Sequence, residues 1–179
     1  RERVHFHRSQ RQGFDAGVGY DGSVAIAEDL IHAAKSAGAD VVKFQLFDAA
    51  RKPEIAHLAL SRETLAELKI QVEALSMEFL CTPFDKDSLW WLVDQGVKRL
   101  KIASGCIFAE LLLRAACESR LPVILSTGMA KMDEINRAMR ILGYTEDITL
   151  LHCVSCYPLA PQDANLRAIG TLHRAYAVP

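Results

Sequence analysis

Ala37-Gly38-Ala39-Asp40-Val41-Val42-Lys43-Phe44-Gln45 joins the end of an amphipathic helix to a short apolar strand that closes on polar side chains. Upstream, Ser23 as N-cap and Val24, Ala27, Leu30, Ile31 and Ala34 on one face predict a helix that Gly38 ends. The same order, helix and then apolar run, repeats along the chain, and that repetition marks a series of βα units. Ser61 and Glu63 open a helix through Leu65, Leu68, Val72 and Leu75, and strand Phe79-Leu80-Cys81-Thr82 follows, stopped by Pro83. Asp85 caps a helix carrying Leu89, Trp90, Leu92 and Val93 as far as Gly96, ahead of strand Arg99-Leu100-Lys101-Ile102-Ala103. Helix 108–118 with strand 122–125, helix 131–142 with strand 148–152, and a last helix over 163–176 complete the series. A weaker candidate strand at 14–18 brings the expected strands to six.

Short apolar strands separated by helices should run parallel, buried on both faces and joined by right-handed crossovers, so the fold class is α/β. Nearly every strand ends in groups capable of chemistry: Lys43 and Gln45, Thr82, Lys101 and Ser104, Ser126 and Thr127, His152 and Ser155. A doubly wound sheet concentrates its site at one switch point, whereas a (β/α)8 TIM barrel draws it from all the strand ends, and the barrel is favoured. A closed barrel needs eight strands and about 250 residues. These 179 residues therefore read as an incomplete barrel, about the first six β/α units, over residues 14–179. The polar run Arg8-Ser9-Gln10-Arg11-Gln12-Gly13 is expected to leave residues 1–13 poorly ordered.

Lys and Arg number 21 against 22 Asp and Glu, a formal charge of −1, so the electrostatic drive for nucleic-acid binding is missing. No apolar run approaches the roughly 18 residues of a membrane span, and the N-terminus lacks the apolar core of a signal peptide, so a cytoplasmic protein is expected. Five cysteines suit a reducing compartment, and Cys153-x-x-Cys156 lacks the second pair of a zinc site and the helix N-terminus of a redox motif.

Lys43 and Lys101 end apolar strands, where an ammonium must reach solvent or an anion. With the hydroxyls of Ser104, Ser126 and Thr127, and with Gly105 and Gly128 freeing backbone N–H groups, they form a candidate cradle for phosphate and carboxylate, the two ammonium groups converging. His152 at the end of Ile148-Thr149-Leu150-Leu151 is either a hydrogen-bonded structural residue or a metal ligand, and pattern alone leaves both open.

Gly22-Ser23, Val41 to Gln45, Cys81-Thr82-Pro83-Phe84-Asp85, Lys101-Ile102-Ala103-Ser104-Gly105, Ile124-Leu125-Ser126-Thr127-Gly128-Met129 and Leu151-His152-Cys153-Val154-Ser155-Cys156-Tyr157-Pro158 occur in order. Together, over residues 14–179, they resemble the N-acetylneuraminate (sialic acid) synthase family, with its pseudaminate, legionaminate and spore-coat polysaccharide synthases. The resemblance implies condensation of phosphoenolpyruvate with the open-chain aldehyde of N-acetylmannosamine or a related amino sugar, giving a nine-carbon 2-keto acid and phosphate. It implies Lys43, Gln45, Thr82, Lys101, Ser104, Ser126, Ser155 and Tyr157 as substrate contacts, Asp15, Lys43 and Lys101 as catalytic residues, and His152 as a ligand to Mn2+ or Mg2+. It also implies a homodimer when full length.

The chain departs from the family pattern in four places. Phe14-Asp15-Ala16-Gly17-Val18-Gly19-Tyr20-Asp21-Gly22-Ser23 keeps an acidic residue as the shorter Asp15 and replaces the usual Asn-His pair by Gly19 and Tyr20. Cys106 stands where Asp or Glu is common, and the stretch between Phe47 and Ser61 is much shorter than the usual sugar-facing loop. The sequence ends at Pro179, before the seventh strand with its second metal histidine and before the C-terminal antifreeze-like domain, so the chain alone is expected to be inactive. The competing readings are a non-catalytic or truncated relative that keeps an anion pocket, and a heptulosonate or octulosonate phosphate synthase, which would need a further basic cluster.

Overall fold

Strand β1 (Arg3–His7) pairs antiparallel with β2 (Gln10–Asp15), and β2, β3 (Val41–Leu46) and β4 (Glu78–Pro83) then pair in parallel. These strands belong to the first of two compact units, residues 1–98, in a computed structural model that describes all residues except 1, 2, 8, 9, 18, 144–146 and 157. The expected strand at 14–18 is thus shifted to Gln10–Asp15. The strand stops at Asp15 because Gly17 turns the chain at φ +49°, with the amides of Ala16 and Gly17 both donating to the Lys43 carbonyl. At its other end, Gln12 and Asp40 exchange bonds of 2.7 Å, the Gln12 amide donating to the Asp40 carboxylate and the Asp40 amide to the Gln12 carbonyl. That exchange fixes the register of a strand whose own sequence is too polar to declare itself.

The helices begin where their caps predict. Ser23 accepts from the Ile26 amide at the start of α1 (Val24–Ser36), Ser61 from Thr64 at α2 (Arg62–Ala74), and Asp85 from Ser88 at α3 (Lys86–Asp94). Helix α1 buries Ala27, Ile31 and Ala34, whereas Val24, assigned to the inward face by periodicity, is 40% exposed in the first turn. Residues 49–58, between β3 and α2, form two 3-10 turns.

The second unit, residues 99–179, holds parallel strands β5 (Leu100–Ile102), β6 (Val123–Ser126) and β7 (Ile148–Leu151). Helices α4 (Glu110–Ser119), α5 (Met132–Leu142) and α6 (Arg167–Tyr176) alternate with them. Helix α6 begins four residues later than the sequence suggests, because Asn165 at φ +46° cannot continue a helix and Pro161–Asp163 forms a separate 3-10 turn. Leu100, Ile102, Leu113, Leu125, Ala138 and Met139 are fully buried, as strands covered by helices require. Among the described residues no helix is long and apolar enough to cross a membrane.

Candidate functional site

Parallel register puts laterally paired residues on one face of a sheet, and in the first unit Asp15 pairs with Lys43 and Gln45 with Thr82. Val42, Phe44 and Leu46 point the other way and are buried, so Lys43 and Gln45 share a face with Asp15 and Thr82 at the C-terminal end of the strands. The Lys43 ammonium lies 2.8 Å from both oxygens of the Asp15 carboxylate. With its side chain only 15% exposed, this ammonium is a paired cation and not the solvated rim residue that its sequence position alone suggests. Gly17 closes over the pair: a Cβ there would stand 3.2 Å from Asp15 Oδ1 and 3.8 Å from Gln45 Nε2. Beside them Thr82, 2% exposed, holds a buried hydroxyl with no hydrogen-bond partner among the described residues. Such a group costs stability unless a ligand or water engages it.

Tyr20, at the position where the resemblance leads one to expect histidine, lies with the core and not with this polar face. It is fully buried, its ring 6.2 Å from that of Phe44, which stacks in turn on Phe79 at 5.6 Å. Burial pushes its phenol up to about 12, with the neighbouring Cys81 adding to the effect, and burial likewise pushes the Cys81 thiol up to about 12. Both groups stay neutral and serve packing. A separate cleft of about 450 Å3 in this unit, near Arg51, Arg62 and Asp85, has four of its five charged side chains already engaged. Arg51 pairs with Asp48 at 3.5 Å, Asp85 caps α3, and Arg62 sits 5.9 Å from the Trp91 ring.

In the second unit the ends of β5, β6 and β7 bring together Lys101, Ser104, Ser126 and Ser155. The Lys101 ammonium donates to the Ser126 hydroxyl and, at 3.4 Å, to the Ile102 carbonyl. The Gly128 amide donates to Ser104 Oγ at 3.0 Å. A Cβ on Gly128 would meet Ser155 Oγ at 2.8 Å and Ser104 Oγ at 2.9 Å, so glycine is what lets two hydroxyls close on the backbone there. Thr127 is spent on structure, its hydroxyl donating to the Leu151 carbonyl at 2.9 Å. Cys106, in place of the expected carboxylate, is buried at 7% exposure.

His152 Nε2 lies 2.9 Å from the Ala164 carbonyl oxygen, which can only accept. In the neutral ring Nε2 therefore carries the proton, Nδ1 keeps the lone pair, and the ring ties the end of β7 to the approach of α6. Among the described residues no three His, Cys, Asp or Glu side chains gather in a way that could hold a metal ion. One imidazole by itself does not make the oxygen-rich shell that Mn2+ or Mg2+ takes. Tyr157 lies outside the described residues.

Comparison with known proteins follows the same residues. Positions 51–179 match the NeuB family. The N,N'-diacetyllegionaminic acid synthase of Legionella pneumophila is 35% identical, the alignment covering 92% of this chain and 54% of that protein. A Methanocaldococcus jannaschii protein designated MJ1065 is 37% identical over 92% of this chain and 52% of its own length. The chain thus spans about half the length of these curated relatives. Among solved structures, the N-acetylneuraminic acid synthetase of Leptospira borgpetersenii, in complex with citrate, superimposes with a TM-score of 0.89 at 32% identity, covering 99% of this chain and 68% of that one. A truncated 3-deoxy-D-arabino-heptulosonate 7-phosphate synthase from Thermotoga maritima shares the fold at TM-score 0.72 and 14% identity.

Proposed function

The chain belongs to the NeuB family, and from that premise we propose that it carries the phosphoenolpyruvate-binding part of a cytoplasmic sugar-acid synthase, built as part of a (β/α)8 barrel. The reaction proposed is condensation of phosphoenolpyruvate with an N-acylated amino sugar, releasing phosphate, in a protein that is a homodimer when full length. The observation that carries this reading is the cluster of Lys101 with Ser126, and of Gly128 with Ser104 and Ser155, at the ends of three adjacent strands. One cation and three hydroxyls can replace the water shell of a phosphate or carboxylate, and their positions are set by the sheet before the ligand arrives. The relative from Leptospira borgpetersenii was solved with citrate, itself a polycarboxylate.

In this reading Lys101 neutralises the anion while Ser126, already bonded to the ammonium, orients it. Ser104 and Ser155, pressed against Gly128, present their hydroxyls to the ligand oxygens. Lys43, Gln45 and Thr82 of the first unit are proposed, by family resemblance, as substrate contacts of their own. Thr82 supports that assignment with its unpartnered buried hydroxyl, and Asp15 acts on Lys43 by holding its ammonium in place. The test is calorimetric titration of phosphoenolpyruvate into the chain and into the Lys101→Met variant. Removal of a charge-assisted contact is expected to weaken binding at least tenfold, about 1.4 kcal/mol. Equal affinity in the two proteins would show Lys101 to be a rim residue and would remove the basis of the proposal.

A further inference from the structure

The cysteine pair that follows β7 has no part in the anion reading, yet it flanks one of the hydroxyls that reading uses. Cys153 and Ser155 line one end of a cleft of about 640 Å3 that runs between α5 and α6, and Cys156 is exposed. A Cβ on Gly128 would meet Ser155 Oγ at 2.8 Å and Cys153 Cβ at 3.3 Å, so both residues pack against the same glycine. Four residues of extended chain would span about 10 Å, beyond the roughly 7 Å that a disulfide allows between its Cα atoms. Here the Cys156 amide donates to the Val154 carbonyl at 2.9 Å, and this γ-turn centred on Ser155 draws the two cysteines together. Their thiols are held only weakly, Cys153 Sγ lying 3.6 Å from the Leu151 carbonyl oxygen and Cys156 Sγ 3.6 Å from that of Pro158. The Leu151 oxygen also accepts from the Thr127 amide at 3.0 Å and hydroxyl at 2.9 Å, so it keeps its bonds when the thiol turns away.

We propose that Cys153 and Cys156 form a reversible modification site, closing a disulfide on exposure to a low-molecular-weight disulfide and withdrawing Ser155 from the hydroxyl cluster. The exposed Cys156, as thiolate, attacks one sulfur of the small disulfide, leaving a mixed disulfide on the protein and releasing one thiolate. The Cys153 sulfur then attacks Cys156 Sγ and releases the second. Each released thiolate takes the proton of the protein thiol that displaced it, so two protein thiols are oxidised and one small disulfide is reduced to two thiols. The two sulfurs start out in opposite directions, toward Leu151 and Pro158, and the chain between them must turn for them to meet. Cys153 is anchored by the end of β7 and by Gly128, so the movement falls on the exposed turn centred on Ser155. Cys153-x-x-Cys156 opens no helix, which separates it from a dithiol catalyst and makes control of the neighbouring site its consequence. That consequence for binding rests on the anion reading above.

The test treats the reduced chain with oxidised glutathione. Alkylation followed by peptide mass analysis should find Cys153 and Cys156 joined, the peptide lighter by two hydrogens. Calorimetry should show phosphoenolpyruvate bound about tenfold more weakly to the oxidised chain, the loss of one hydroxyl from a charged ligand, with dithiothreitol restoring the original affinity. The Gly128 amide resonance should shift on oxidation, which reports the movement of Ser155 without any ligand. C156S, at an exposed position, should keep the parent affinity and lose both responses. A glutathione adduct that never closes, or a closed disulfide that leaves either the Gly128 resonance or the affinity unmoved, overturns this inference alone. Failure of the reduced chain to bind phosphoenolpyruvate overturns the anion reading instead, and the peptide mass and the Gly128 resonance still decide the disulfide.

Discussion

Gly128→Ala separates a site glycine from a folding glycine. Gly128 is buried, its amide donates to Ser104 Oγ at 3.0 Å, and an added methyl would stand 2.8 Å from Ser155 Oγ and 2.9 Å from Ser104 Oγ. Both hydroxyls are ends of rotatable side chains and turn away, while Cys153 Cβ, 3.3 Å from the added methyl, needs the chain to give by only a few tenths of an ångström. Rotation of Ser104 removes the bond from a buried amide, a cost of about 1–3 kcal/mol, against which burial of the methyl returns about 0.8 kcal/mol. The net loss of stability is therefore only about 1 kcal/mol, a small shift of the urea midpoint. Ligand binding should suffer more. A hydroxyl bonded to a charged oxygen contributes about 1.5–3 kcal/mol, so losing even one weakens phosphoenolpyruvate at least tenfold. Calorimetry on the folded variant measures this directly. Affinity within twofold of the parent would show that Ser104 and Ser155 do not face the ligand, and the reasoning from their proximity would fail.

Gly22→Ala should act in the opposite sense, on folding first: its Cβ would lie 2.1 Å from the His57 carbonyl oxygen, a backbone atom, at φ +73°. A stability loss above about 2 kcal/mol is expected by urea denaturation. Asp15→Asn strips Lys43 of its charged partner and should cost about 1–2 kcal/mol, discounted for partial exposure of the pair, with Asp15→Glu recovering most of it in the same denaturation assay. Above pH 9 the melting temperature should fall. The Cys81 thiol sits near 12 when folded against 9.0 in the open chain, so the unfolded state releases its proton first and the stability present below pH 9 is lost progressively toward pH 12. Cys81→Ala should flatten that decline in a melting series, the Tyr20 phenol accounting for what remains above pH 10.

Helix and strand order, the caps at Ser23, Ser61 and Asp85 and the parallel arrangement within each unit were legible in the sequence, because local periodicity and capping chemistry act over a few residues. The polar residues at strand ends were equally legible, since a buried apolar run leaves few positions for Lys43, Thr82, Lys101 and Ser126. Their partners were not. Asp15 meets Lys43 from 28 positions away and Ser126 meets Lys101 from 25, distances over which only strand register decides what touches what. Strand β2 falls at Gln10–Asp15 and not at the expected 14–18 because its register depends on Gln12 and Asp40 rather than on apolar content. Helices 131–142 and 163–176 were expected from the sequence, without any indication of how Met132 and Ile135 on the one stand to Ala168 and Leu172 on the other. Only the tertiary structure shows a cleft between those faces, because whether two apolar stripes meet or stand apart is set by the spacing of their helices and not by either stripe.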